Sequence, residues 1–237
     1  MWLAITLALI ALVGTVASTG FQIWGQKRSE DVAAEREAEA VLAKYREPLI
    51  SAAYELQSRL YNILRLRFFD KYYRSGSEAQ HTYAVENTLY VLAQYFGWSE
   101  ILRQEIQFLS FSDSTKTRAV ADLQREILEC FQSDDPDLGG AFFVWRGEQR
   151  AIGECMIERE DGRVSCQGYS SFLEHHEGPV RKWLGRLEDD LERIADTPNP
   201  RLVRLQHGLV DLIRELDPDR VRYGDDVLQK VRPDQAS

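Results

Sequence analysis

The apolar positions of this chain fall into two regimes. From Trp2 to Gln26, in WLAITLALIALVGTVASTGFQIWGQ, no ionisable side chain occurs, whereas from Lys27 onward apolar residues alternate with charged ones at helical spacing. A helix from Trp2 to Trp24 is about 34 Å long, enough to cross a hydrocarbon core of about 30 Å. Trp2, Phe21 and Trp24 stand near its ends, where aromatic rings favour the membrane interface. Residues 1–26 are therefore expected to form a single transmembrane anchor. Lys27, Arg28 and Arg36 follow the run and none precedes it. A cleaved signal peptide has the opposite order, and the positive-inside rule then predicts a cell-membrane protein with its N-terminus outside and its C-terminal domain cytoplasmic.

Inside this run Ala4, Ala8, Ala11, Thr15 and Ser18, continued by Gln22 and Gly25, alternate at spacings of four and three. Such a stripe lets two membrane helices approach closely. It offers a face for a homodimer or a partner membrane protein, in addition to the lipid bilayer contacted by residues 2–24.

Residues 27–47 read as a charged helical spacer, SEDVAAEREAEAVLAKYRE, rich in Ala and Glu with a sparse apolar stripe. Ser29 suits its N-cap, and Pro48 suits the first turn of a following helix. Leu49, Ala52, Ala53, Leu56, Leu60, Ile63 and Leu64 then share one face. Val85, Leu89, Leu92 and Phe96 form the next stripe, ended by Gly97, with a short helix capped by Ser99 after it. Val120, Leu123, Ile127 and Phe131 form another. Pro179 opens a helix carrying Val180, Trp183, Leu184, Leu187, Leu191 and Ile194. Pro200 opens the one carrying Leu202, Leu205, Leu209, Leu212, Ile213 and Leu216, which Asp217-Pro218 closes. The helical rhythm breaks at ECMIEREDGRVSCQGY, where Asp161-Gly162 predicts a small β-hairpin near residues 155–168. The fold class is all-α: anchor, spacer, a multi-helix bundle over residues 48–222 and a loose tail over 223–237.

Composition narrows the function. The 237 residues are 44% apolar and 28% charged, an ordinary globular balance. The net charge of −9 repels nucleic acid, so no nucleic-acid role is expected. Three irregularly spaced cysteines make no disulfide framework, which agrees with a cytoplasmic body.

Charged residues on apolar faces are the remaining candidates. In FFVWRGEQRAIGECM, Trp145, Ile152, Cys155 and Met156 share an arc into which Glu148 and Gln149 fall, while Arg146, Arg150 and Glu154 point elsewhere. Gly147 and Gly153 are unfavourable in a helix unless a neighbour approaches closely or part of the stretch is strand. Arg67 falls on the stripe of Leu49, Leu56, Leu60 and Leu64 if that helix runs so far, and a buried arginine requires a partner. Glu148 is the chosen partner and Glu86 the second. Gln206, like Gln124, stands at the edge of an apolar stripe. Arg67, Glu148, Gln149, Glu86 and Gln206 thus form a candidate buried polar cluster, read either as a packing device or as the lining of a ligand pocket. RLYNILRLRFFDKYYR, Arg59 to Arg74, is basic and aromatic; it reads as a core helix with a polar end or as a surface lying on anionic lipid.

The chain carries no phosphate-cradling glycine loop, no nucleophile elbow and no H-E-x-x-H. Glu78 with His81 supplies one Glu-x-x-His where a di-iron bundle needs two. Cys155, Cys166, His175 and His176 match no usual zinc spacing. His207 and Asp211, one turn apart, read as a solvated pair. No catalytic residues, metal or cofactors are assigned. The strings RLYNIL, VENTLYVLAQYFGW and WRGEQRAIGE are similar to stretches of a family of predicted bacterial single-pass membrane proteins with no known activity, over roughly residues 48–216. That resemblance carries no functional residue over. The expectation is a membrane-anchored helical domain acting through protein contacts as scaffold, adaptor or regulator. The alternative is a small-molecule or lipid-binding domain, or less readily an enzyme, with a polar pocket around Glu148 and Arg67.

Overall fold

The computed structural model describes residues 2–106, 115–175, 178, 180–194 and 199–232, with backbone alone for residues 2–23 and a few other helical positions. Among the described residues the order is α1 (Trp2–Arg65), α2 (Glu78–Ile106), α3 (Thr115–Gln132), α4 (Arg146–Met156), β1 (Ile157–Glu160), β2 (Arg163–Cys166), α5 (Tyr169–His175), α6 (Arg181–Ile194) and α7 (Pro200–Leu216). The fold is mainly helical with one antiparallel hairpin, as the periodicity predicts.

The hairpin follows its turn chemistry. Asp161 and Gly162 take φ of 48° and 76°, the left-handed pair that a two-residue hairpin loop requires, and the strands close from Glu160↔Arg163 to Ile157↔Cys166.

α1 is longer than the sequence pattern suggests. It runs unbroken through Ser29, which donates to the Gln26 carbonyl at 2.7 Å instead of capping a new helix, and through Pro48. A proline inside a helix costs about 3 kcal/mol. Tyr45, Leu49, Ile50, Ala53 and Leu56 are buried on both sides of it, which offsets that cost and lets the helix continue. Before Tyr45 the described side chains of α1 are largely exposed, Trp24 and Val32 among them. The described side chains from Trp24 to Ala40 thus mark a solvated rod of about 25 Å, after which Val41 and Leu42 begin to pack against the core. Among the described residues no helix is long and apolar enough to cross a membrane. The side chains of residues 1–23 lie outside the described residues, and with them the anchor and its face Ala4, Ala8, Ala11, Thr15 and Ser18.

From Tyr45 onward α1 packs against α7 and α2, α2 against α4, and α3 against α7, while α6 and the hairpin lie on α2. α2 passes through Gly97 without ending, contrary to the expected stop there. A Cβ at Gly97 would lie 2.6 Å from Cys166 Sγ and 2.9 Å from Met156 Cβ, so this glycine admits the hairpin and the end of α4 against α2. Gly153 does the same from the other side: its Cβ would lie 2.7 Å from the Phe96 carbonyl oxygen and 2.8 Å from Glu100 Cβ. Gly147 meets nothing. The two glycines of α4 thus separate cleanly, one a contact point between helices and one not.

The far end also differs from the expected loose tail. Leu228 and Val231 are fully buried, so residues 223–232 belong to the folded body. The basic aromatic stretch is mostly core and connector. Phe69 is buried, Arg59 is nine-tenths buried, and the chain turns through a π-helical segment Asp70–Arg74.

Gly153→Ala is expected to lower stability in chemical denaturation by about 1–3 kcal/mol, the usual range for overpacking. Gly147→Ala should raise it by up to about 0.5–1 kcal/mol through helix propensity. Equal effects at the two positions would contradict the close approach of α2 and α4.

Candidate functional site

Arg67 is not buried, which corrects the expectation placed on it. α1 ends at Arg65, and Arg67 turns into the left-handed region with φ of 51°. It leaves the apolar stripe with its side chain 72% exposed and pairs with Asp70 at 2.6 Å. Neither Glu148 nor Glu86 is its partner. Glu148 reaches back to the Trp145 amide at 3.0 Å and accepts from Arg186 Nη2 at 2.7 Å. A carboxylate at the first turn of α4 is favoured by the free amides and the dipole there, so Glu148 caps α4 and ties it to α6. Glu86 is half-buried on α2 near Tyr169. Gln149 is buried and donates to the Leu128 and Val144 carbonyls at 2.9 and 2.8 Å, joining α3 to the segment that enters α4. Arg146 is half-buried and close enough to sense Arg150, Glu129, Arg103 and Glu100; burial pulls its guanidinium pKa down. The proposed five-residue cluster is therefore dispersed: Glu148 and Gln149 each tie α4 to a different neighbour, and Gln206 stands at a separate junction with α1 and the segment after α7.

Two arginines that were not singled out are buried. Arg201 is 1% exposed. It donates to the carbonyls of Cys130, Phe131, Ser133 and Gly139, and its guanidinium lies 5.5 Å from the Phe143 ring centroid. It thereby receives the end of α3 and the loop beyond it, while the Asp190 carboxylate accepts from the Phe142 amide at 2.8 Å, where φ is 59°. Arg59 donates to Asn87 and stacks on Phe68 at 4.0 Å, beside Tyr83. A signal existed for both. Arg201 precedes Leu205, Leu209, Leu212 and Leu216 at helical spacing, and Arg59 lies between Leu56 and Ile63 on the same terms.

The junction at Gln206 is built by α1, α7 and the segment after α7. Asp217 ends α7, and its carboxylate accepts from the amides of Val221, Arg222 and Tyr223 at 3.0, 2.9 and 3.2 Å. Burial pushes this carboxyl upward, but those three amides and the Arg46 guanidinium outweigh it and hold it below the usual carboxylate range. The turn is pinned further by the stacking of Tyr223 on Tyr54, with centroids 3.8 Å apart. Beyond a turn at residues 224–227, residues 228–231 then run across α1 and α7 without helix or strand. Gln206 Nε2 donates to the Gln229 carbonyl at 2.8 Å and to Gln57 Oε1 at 3.1 Å, and Gln206 Oε1 accepts from the Val231 amide at 3.1 Å. His207 Nε2 donates to the Val231 carbonyl at 2.6 Å, Arg214 to Leu228 at 3.2 Å and Gln57 to Val227 at 3.4 Å. Asp211 pairs with Lys230 at 2.6 Å. His207 and Asp211 are thus not a solvated pair; both hold this strap.

The arrangement suits recognition of a main chain, with donors aimed at carbonyls and an acceptor aimed at an amide. Among the described residues no three His, Cys, Asp or Glu side chains are placed to hold a metal ion. Comparison with protein-family models, curated proteins and solved structures finds no match.

Arg201→Ala should take the donor from the buried Cys130 carbonyl and from the part-buried Ser133 and Gly139 carbonyls and lower stability by about 3 kcal/mol or more in denaturant titration, with Arg201→Lys restoring little because an ammonium lacks the planar fork. Asp217 supplies a pH test. Its folded pKa is depressed, so its contribution is present above the unfolded carboxyl value of about 3.9 and is lost as pH falls through the folded value. Asp217→Asn should therefore be less stable than the parent at pH 7, with the gap closing in acid. A gap that persists unchanged to pH 2 would contradict the role of the carboxylate.

Proposed function

We propose that this protein is a membrane-tethered adaptor or regulator whose helical body works through protein contacts on the cytoplasmic side. One observation carries the reading: α1 runs without a break from the apolar residues 2–24 through the solvated rod into the core. A helix leaving a bilayer would be the same helix that buries Leu49, Leu56 and Leu60, so body and tether would move as one piece. A rod of about 25 Å would keep the acidic body clear of anionic headgroups, which repel it. Lys27 and Arg28 stand where a cytoplasmic interface would hold them.

Support for a contact-making role over catalysis comes from the polar groups of the interior. Arg201, Gln149 and Gln206 are spent on main-chain carbonyls of the same chain and join segments distant in sequence. The ligand pocket between Arg67 and Glu148 loses its basis, since those residues serve a surface ion pair and a helix cap. The stripe of Ala4, Ala8, Ala11, Thr15 and Ser18 would bring a second copy or another membrane protein alongside.

Full-length protein is expected to stay in the membrane pellet after alkaline carbonate washing, and protein lacking residues 2–24 to appear in the supernatant. Cross-linking in membranes before purification should then recover partner proteins with the full-length chain. Release of the full-length chain by carbonate would overturn the tether, and recovery of the chain alone would overturn the adaptor role.

A further inference from the structure

Most polar side chains buried between the helices find partners within the chain, but at the seam of α2 and α4 three polar atoms do not. Tyr95 Oη, Ser99 Oγ and Arg146 Nη1 are shielded from solvent and make no hydrogen bond. Tyr95 is fully buried and Ser99 is 8% exposed. Tyr95, Ser99 and Arg103 follow one another at single-turn spacing on α2, as Arg146 and Arg150 do on α4. The helices run close together here, because Gly153 brings α4 onto Phe96 and Glu100 of α2. Burial raises the Tyr95 phenol pKa while Ser99 and Arg146 both oppose that rise, so the three groups stand near one another. A buried polar group without a partner is costly, and three at one seam point to a molecule that supplies what they lack.

The surrounding charges give the sign of that molecule. Glu100 is buried and already engaged by Arg103 at 2.6 Å and Gln104 at 2.9 Å. Glu129 and Glu154 are exposed, and Glu129 lies 3.8 Å from Arg125. Among the described residues neither Arg146 nor Arg150 forms a salt bridge, although both lie close enough to Glu100 to sense it. Burial, and after it repulsion from Arg150, holds the Arg146 pKa below the usual guanidinium range. Water would serve the two hydroxyls but leave both guanidinium groups without a counterion, whereas an oxyanion serves all four. A carboxylate brings two oxygens and one charge. A phosphate group brings more oxygens and a charge of about −1.5 to −2, which suits two arginines and two hydroxyls better. Arg146 is half-buried and Arg150 exposed, so the seam faces solvent on the α4 side.

We infer that the seam between α2 and α4 is a binding site for phosphate or a small phosphate monoester, received by Tyr95, Ser99 and Arg146 with Arg150 at the exposed mouth. Arg103 stays with Glu100 and adds positive potential beside it. The ligand is a soluble one. Trp98, next to Ser99, lies against Tyr45 with ring centroids 6.4 Å apart, and Tyr45 stands about 30 Å along α1 from Trp24. A bilayer around residues 2–24 would keep its headgroups at about that distance from the site. The inference goes beyond the adaptor reading, because it concerns a ligand of the helical body; only the choice of a soluble source uses the tether.

The test uses the full-length chain in detergent at neutral pH, with radiolabelled inorganic phosphate followed by equilibrium dialysis in chloride buffer of constant ionic strength. Saturable binding is expected with a dissociation constant of about 0.1 mM or tighter. Tyr95→Phe removes only the unpaired hydroxyl, so it should weaken phosphate binding about tenfold and leave the midpoint of denaturant unfolding unchanged or higher. A hydroxyl that only joined the two helices would lower that midpoint and leave phosphate binding alone. Arg150→Gln, at an exposed position, should weaken binding about tenfold or more, and Arg163→Gln on the exposed hairpin should keep it within about twofold. Absence of saturable binding below about 1 mM, or binding indifferent to both Tyr95→Phe and Arg150→Gln, would remove the site. Acetate competing as well as phosphate would overturn the phosphate assignment. With the chain reconstituted in phosphatidylcholine vesicles, adding phosphatidic acid should change phosphate binding by no more than about twofold. Loss of binding there would assign the site to a lipid headgroup and overturn the soluble source. Failure of phosphate binding would leave carbonate resistance and partner recovery untouched, so the two readings fail separately.

Discussion

The non-helical stretches that enter the core of this protein carry peptide groups with them, and side chains standing on the helices receive those groups. A buried carbonyl without a donor costs on the order of 1–3 kcal/mol, so a bundle with irregular connections is stable only where such donors are placed. Arg201 meets the carbonyls at the end of α3 and in the loop after it. Gln149 meets Leu128 and Val144, and Gln206 with His207 meets the strap. The converse groups, amides left free by turns, are met by Asp190 at Phe142 and by Asp217 at its own turn. These contacts decide which loops lie against which helices, and the apolar stripes supply most of the remaining stabilisation.

The polar contacts are coupled to close packing of the helices. Gly97 and Gly153 face each other's helices, and Gly208 of α7 would place a Cβ 2.9 Å from Ile127 of α3. Where backbones approach this closely, there is little room for a side chain to turn outward, so polar groups at the seams must find partners within the protein. Glu100 illustrates it. It is buried opposite Gly153 and accepts from Arg103 at 2.6 Å and Gln104 at 2.9 Å. A burial penalty on its carboxylate is overcome by these donors, and its pKa lies below the ordinary value.

The consequence is a body in which the last described segment is part of the core. The helices are locked to one another through glycine contacts and main-chain caps, while the strap adds Leu228 and Val231 to the same core and has its main chain held by side chains of α1 and α7.

How much of this was legible beforehand follows from the range of each force. Helical periodicity and turn chemistry are local, so the apolar stripes, the helix from Pro200 to Leu216 and the hairpin at Asp161-Gly162 could be read from the residues alone. Charge, cysteine usage and the apolar run at residues 2–26 are equally properties of the sequence. Tertiary structure decided what depends on partners distant in the chain. It carried α1 through Pro48 and α2 through Gly97, because burial on both sides outweighs a local preference to stop. It put Arg67 at the surface and Arg201 in the core, although both stood on apolar stripes, because the end of a helix and the presence of nearby carbonyls are set by how the chain returns on itself. The strap is the clearest case: residues 227–231 have no periodicity to announce them, and their order comes from side chains of α1 and α7 that only the fold brings within reach.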